Sequence, residues 1–351
     1  MAATDISAAP RAAAGRRPSL HLGRARPLLR RLVFYVITAW IAVTFNFLIP
    51  RLMPGNAVDS VLSRLQGNGP VTPRAIHALE LAFGLHTHQT PLQQYVGYLG
   101  SVVQGNFGTS IYYYPSSVAS VIGNSLPWTV ALVGVSTIIA FVLGTALGVL
   151  AGWKRGSRLD ALVPAGTLLS AMPYFWVGLI LISVFATSLH WLPFFGGSSS
   201  GATPSFTLSF LGNAAYHAIL PGVTIVVSAI GGWLLGMRNM VVSILAEDYI
   251  VLAEAKGLPS RRVIGAYVTR NAILPNISGF ALSLGFVVAG SIVTEVVFNY
   301  PGIGNILFQA VSARDYPLMQ GIFLIITLVV LLANLFADAV YVLLDPRTRE
   351  A

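Results

Sequence analysis

Two carboxylates, Glu295 and Asp338, fall in or beside long apolar runs. Ionisable side chains in such runs are rare and carry a functional reading by default. The sharpest reading is proton coupling. However, spacing sets no second acid or histidine beside either residue. Glu295 lies near one end of its run, just before "NYPGIG", which favours a hydrogen-bonding role at a gate. Asp338 reads as a residue that holds helices together. His86 and His88, at i and i+2 in a loop, resemble a metal pair only superficially, and no metal site is expected. The chain has no cysteine, which excludes thiol nucleophiles, thiolate metal sites and disulfides. It has no G-x-x-x-x-G-K-[ST] and no H-E-x-x-H, so neither P-loop nor zincin chemistry is encoded. No catalytic residue is expected. The densest chemistry lies instead in "AEDYIVLAEAKGLPSRRVIGAYVTRNAILP", residues 246–275, where charges, small residues and a Gly–Pro break alternate.

The elements that must position these residues follow from composition. Of 351 residues, 55% are apolar and only 9% charged, against roughly 25% charged in a soluble domain. Mean hydropathy is +0.74. Lipid must be the solvent for much of the chain. A crossing helix needs roughly 20 apolar residues, and charge-free windows locate six: 32–50, Trp128–Trp153, about 162–189, about 214–237, about 275–298 and about 318–344. The expected fold is an all-α polytopic membrane protein with six transmembrane helices.

The net charge of +9 would suggest nucleic acid in a soluble protein. Here the basic residues sort by loop, and no nucleic-acid partner is expected. Arg11, Arg16, Arg17, Arg24, Arg26, Arg30 and Arg31 precede the first span. Lys154, Arg155 and Arg158 follow the second. Arg238, Lys256, Arg261, Arg262 and Arg270 lie between the fourth and fifth, and Arg347 and Arg349 follow the sixth. The opposite side holds only Arg51, Arg64, Arg74 and Arg314. Excess Lys/Arg marks the cytoplasmic side, so both termini are expected in the cytoplasm of a cell bounded by this inner membrane. Residues 1–31 read as a basic tail without ordered structure. Residues 51–125 read as a small external cap, with one helical piece at 72–85 and another in "PLQQYVGYLGSVVQGNFG". Residues 126–345 hold the second to sixth spans.

Within the core, Gly144, Gly148 and Gly152 recur every four residues, as do Gly232 and Gly236, which points to close helix packing, internal or against a partner. Pro164 and Pro173 in the third span and Pro221 in the fourth predict broken or kinked backbone, which membranes tolerate where it is buried in protein or lines a cavity. In the 246–275 loop, Glu247 and Asp248 suit a helix start, Gly257 and Pro259 break the run, and helical spacing resumes at Arg261. The residues alone leave open a helix pair resting on lipid or a docking element for another protein.

This loop resembles the EAA loop of ABC importer permeases, and "DYIVLAEAKGLPSRRV" with "RNAILP" is similar to B-type permeases of the dipeptide, oligopeptide and nickel importer family. "RLMPGNAV", "GVLAGWKRGSRLD", "SAMPYFWVGLILI", "TEVVFNYPGIGNIL", "ARDYPLMQG" and "YVLLDPR" resemble the same branch, in family order, over about residues 32–348. Glu254 departs from the basic or polar residue expected there, and "IYYYPSS" is more aromatic than usual.

The resemblance implies a type I ABC importer permease fold. It implies that Asp248, Tyr249, Ala253, Ala255, Lys256, Gly257, Arg261 and Arg262 form a coupling element in a cleft of a separate ATPase subunit. Ala253, Ala255 and Gly257 are small enough for a partner's backbone to approach. It implies a pathway or gate near Met172, Pro173, Tyr174, Phe175, Trp176 and Glu295. The implied partners are a second, related permease, two ATPase subunits that bind ATP and magnesium, an external solute-binding protein, and a peptide cargo. No cofactor is implied in this chain. Two other classes stay open on the residues alone. An ion-coupled carrier or channel would need charges at a midplane site, and an intramembrane enzyme would need clustered His, Asp or Glu at one interface. A nickel chelate or another small solute is the other cargo the same architecture could carry.

Overall fold

The computed structural model describes residues 22–52, 90–287 and 292–344, with side chains described outside 22–32, 50, 162, 285–286 and 337–344. The tail 1–21, most of the expected cap (including 72–85, His86 and His88) and Asp345 with Pro346 lie outside the described residues. So does the side chain of Asp338, although its backbone is helical.

Among the described residues the regular elements are all helical, with no β-sheet. In chain order they form α1 (Leu22–Leu52), α2 (Pro91–Val103), α3 (Val118–Trp153), α4 (Leu162–Ala171) and α5 (Tyr174–Leu181). Then come α6 (Leu208–Ile244), α7 (Asp248–Ala255), α8 (Ser260–Arg262), α9 (Arg270–Val287), α10 (Ile292–Val297), α11 (Ile303–Ala313) and α12 (Tyr316–Leu344). Wider π-helical turns, Ile182–Ser188 and Val263–Thr269, continue α5 and join α8 to α9.

Among the described residues, three helices are long and apolar enough to cross a membrane: α3, α6 and α12 over Tyr316–Phe336. The third expected span is not one helix. Val163–Ala171 and Tyr174–Ser188 meet at 100°. The break itself has a local cause: Pro173 has no N–H to offer the helix, and its ring pushes Met172 into extended backbone (φ −76°, ψ 135°). The first expected span coincides with α1, which carries the apolar run Val33–Ile49 among its described side chains. The fifth coincides with α9 and α10. Helix α11 lies between the fifth and sixth, where no helix was expected, and it is too short to cross.

Direction follows from side-chain register. Gly144, Gly148 and Gly152 of α3 meet Trp233, Met237 and Val241 of α6 in the same order, so the two helices run parallel. The chain must therefore travel back between them, and α4 with α5 makes that return. On α9, Asn276 meets Thr145 and Val287 meets Gly134, so α9 runs against α3.

Apolar clusters stack along this frame. One, at the start of α3, joins Val118 and Ile122 to Ile303, Ile306, Leu318 and Ile322. A middle cluster joins Leu132 and Val133 to Leu220 and Phe298. A third, at the far end of α3 and α6, joins Met237 and Val241 to Ile250, Val263 and Val268. The molecule thus has an α11 end and an α7 end.

Candidate functional site

Helix α7 is short but firmly set. Glu247 enters it in extended backbone, and Asp248 places a negative charge in its first turn, where the helix dipole favours one. Ile250 and Ala253, three residues apart, are buried in the cluster with Met237, Val241 and Val263. Burying Ile250 contributes about 2 kcal/mol. The helix stops in a Schellman motif: Gly257 N–H donates to Glu254 O at 2.8 Å and Leu258 N–H to Ala253 O at 3.3 Å. Gly257 sits at φ +73° with open space around it, so glycine is needed there for its conformation and not for room. Pro259 then starts α8. Asn271 of α9 donates to Tyr249 Oη at 3.3 Å and to Tyr267 O at 2.8 Å.

The other faces of α7 are uncovered. Asp248, Tyr249, Val251, Leu252, Glu254 and Ala255 are exposed, as are Lys256, Gly257, Arg261 and Arg262. Val251 and Leu252 are 59% and 55% exposed. The expectation for Ala253 needs correcting. Its methyl faces the chain's own core, so its small size serves the packing of α7 and not the approach of another protein.

The glycine stripe of α3 faces α6. A Cβ at Gly148 would lie 2.6 Å from Leu234 O and 2.7 Å from Met237 Cβ; one at Gly144 or Gly152 would be similarly crowded. Gly231 of α6 lies so close to Gly166 O and Ser170 Oγ of α4 that any side chain there would overlap them. Gly232 has nothing within 4 Å, and Gly236 meets Asn276. At the bend, Pro173, Tyr174, Phe175 and Trp176 are exposed and Met172 is half-buried. Val177 and Gly178 turn inward, Gly178 against Phe298 and Thr224.

Glu295 is completely buried, and its partners are all at the start of α11 or on α3. Thr129 Oγ1 donates to Oε1 at 2.8 Å. The Gly304 and Asn305 N–H groups donate to Oε2 at 2.7 and 3.3 Å. The Ile303 N–H donates to Thr129 Oγ1 at 2.7 Å. The carboxylate and the threonine therefore satisfy the first free donors of α11. Gly302 packs on the same carboxylate so closely that a Cβ would overlap it. Asn305 donates to Tyr300 O and Asn299 Oδ1 and accepts from Gln309, which in turn accepts from Tyr113 Oη.

The sequence reading missed Asp315. It too is completely buried, and it accepts from Ser110 Oγ, from Tyr112 N–H at 2.8 Å and from Leu318 N–H at 3.1 Å. It caps α12 and straps the segment before α3 to it. Burial, with Tyr112 and Asp315 nearby, pushes the Tyr113 phenol up to about 12, so it stays a donor across ordinary pH. The only signal in the sequence was an acid one residue before a long apolar run.

At the α7 end a further acid was missed. Asp160 accepts from Arg238 Nε at 2.9 Å and from Gly156 N–H at 3.0 Å. The Arg238 guanidinium, with that N–H, holds its carboxyl below the usual carboxylate range. Arg155 donates to Val242 O at 3.0 Å. Together they fasten the turn after α3 to the end of α6, next to α7.

A stiff, exposed helix at one end of a glycine-packed helical bundle agrees with sequence comparison. Residues 144–350 match the family described as binding-protein-dependent transport system inner membrane component. The chain belongs to this permease family.

Relatives place the permease further. The di/tripeptide transport system permease protein DppB of Pseudomonas aeruginosa is 34% identical over 337 residues, covering 92% of this chain and 98% of the relative. The oligopeptide transport system permease protein AppB of Bacillus subtilis is 35% identical, covering 72% and 79%. The oligopeptide transport system permease protein OppB of Escherichia coli is 30% identical, covering 92% and 98%. A chain of the MetNI methionine ABC transporter, solved in inward facing conformations, superposes with a TM-score of 0.50 at 16% identity, covering 64% of this permease and 96% of that chain. That likeness establishes an ABC permease fold. The permease is thus a multi-pass inner membrane protein of the peptide ABC transporter class.

Proposed function

We propose that this chain is one of two related permease subunits of an ATP-driven peptide importer, with six membrane passes, both termini in the cytoplasm, and α7 as its coupling element. The observation that carries the reading is α7 itself. It is exposed where the loops are rich in Lys and Arg, and it presents Tyr249, Val251, Leu252 and Ala255 beside Asp248, Lys256, Arg261 and Arg262. It is also fixed to the bundle by Ile250, Ala253 and the Gly257 turn. A rigid element can pass on a partner's movement, whereas a loose one would absorb it.

In this mechanism two ATPase subunits bind ATP and magnesium, and each receives a coupling helix from one permease. Their closure moves α7, and with it the Val263–Thr269 turn and α9. The bundle opens to an external binding protein and admits the peptide. The exposed aromatic bend at Tyr174, Phe175 and Trp176 would line the shared path with the second permease. The relatives' names support di-, tri- or oligopeptide as cargo. Glu295 serves this path indirectly, by fixing α11 at the external end.

Reconstitution tests the proposal. The two permeases with the ATPase subunits and binding protein should take up labelled peptide only with ATP and magnesium, and this chain alone should transport nothing. Gradient-driven uptake by the chain alone would contradict the proposal.

A further inference from the structure

Helix α2 has two unlike sides. Its start is self-sufficient: Thr90 Oγ1 accepts from Gln93 N–H while Gln93 Oε1 accepts from Thr90 N–H. Such a capping box satisfies end groups that would otherwise need water. One side of α2 is bonded to α1. Tyr95 Oη and Thr44 Oγ1 are 2.7 Å apart, and Asn46 Nδ2 donates to Tyr98 Oη at 3.1 Å and to Gln320 O at 2.7 Å. Phe47 packs edge-on to Tyr95, 5.1 Å between centroids. Thr44 and Asn46 belong to the apolar run Val33–Ile49, so α2 rests beside a stretch suited to the membrane.

The second side is apolar and bare. Leu92, Val96 and Val103 recur at i, i+4 and i+11 on one stripe, 71%, 60% and 87% exposed. No residue of α2 is charged. Helix α1, which α2 is bonded to, also exposes apolar residues, among them Phe45, Leu48 and Ile49. At the level of α2, Arg51 stacks on the Phe47 ring, 3.5 Å from its centroid. Arginine commonly marks the boundary between hydrocarbon and headgroups.

We propose that α2 is an interfacial helix of the leaflet at the α11 end, with Leu92, Val96 and Val103 in lipid. A helix satisfies its own backbone, so it can lie at that depth where a loop could not. The lipid face of α1 is thereby widened into a shelf at the root of the segment that continues to α3.

The chain has no cysteine, so single cysteines at 92, 96 and 103 can carry an environment-sensitive fluorophore in the reconstituted complex, with Gln93→Cys as the off-stripe control. The expected result is blue-shifted emission, and loss of intensity with a quencher carried on lipid chains, at the three stripe positions only. Equal access of an aqueous quencher to Val96→Cys and Gln93→Cys would overturn the proposal. So would protection of the stripe from both quenchers, which would mean that protein covers it. A photoactivatable phospholipid added to the unmodified complex gives a test without substitution. Adducts on Leu92 or Val96 are expected, and their absence while α1 is labelled would contradict the proposal. Neither result depends on ATP-driven uptake, so this inference and the importer reading can fail separately.

Discussion

The two ends of the permease are held by different physics. At the α11 end, buried carboxylates and amides connect elements that are distant in sequence: Ser110 and Asp315 are 205 positions apart, Thr129 and Glu295 166. Among the described residues, nearly every buried polar side chain there is hydrogen-bonded from within the chain. At the α7 end the hydrogen bonds of the turn are local, and α7 is held by apolar packing of Ile250, Ala253 and Val263, while the Asp160–Arg238 and Arg155–Val242 bonds tie the neighbouring turn after α3 to α6. Most charges there point outward. The first end is closed on itself, while the second is rigid yet has uncommitted surface, which suits an element that another protein must grip.

Five substitutions would break or sharpen that contrast. Gly257→Pro carries the largest expected effect. Proline holds φ near −65°, against +73° here, so the turn after α7 cannot form. ATP-driven uptake should fall to background while membrane abundance stays near normal; full uptake would remove α7 from the coupling path. Glu295→Ala comes next and acts on stability. It strands the Gly304 and Asn305 N–H groups and Thr129, at a cost of about 2–4 kcal/mol, read as earlier thermal unfolding of the purified complex. Glu295→Gln keeps an acceptor and should lose less. Equal loss in both would mean that the charge, and not the acceptor, holds α11. Gly148→Ala forces α3 and α6 apart and should cost about 1–3 kcal/mol, read in the same unfolding assay, with little loss expected from Gly232→Ala on the open side of α6.

The smallest effect concerns pH. The Asp160 carboxyl is lowered by Arg238, so its contribution is fully present above the unfolded value of about 3.9 and is lost as pH falls through the lowered one. Asp160→Asn should therefore cost a small amount of stability at neutral pH and show no matching loss below about pH 4, which flattens the acid limb of the unfolding profile.

Much of this organisation was legible in the sequence. Charge-free runs located α3, α6 and α12, and Gly257 with Pro259 marked the turn after α7, because both signals are local. Proline predicted a break at Met172, but its 100° angle depends on how α4 packs on α6 through Gly166 and Gly231. The side on which Ala253 lies was not legible: α7 is two turns long, too short for periodicity to define a face. Asp315 and the partners of Glu295 were not legible either, since each cap is completed by residues far away in the chain. Helix α11 escaped notice because its 11 residues are too few to register as a membrane span.

Single cysteines along α7 test the central claim most directly. With zero-length or short crosslinkers in the assembled, ATP-cycling transporter, Val251→Cys, Leu252→Cys and Ala255→Cys should each capture an ATPase subunit, while Ala253→Cys, turned into the chain's own core, should not. Labelling of the three exposed positions by lipid probes alone, with no ATPase adduct in any nucleotide state, would contradict the account.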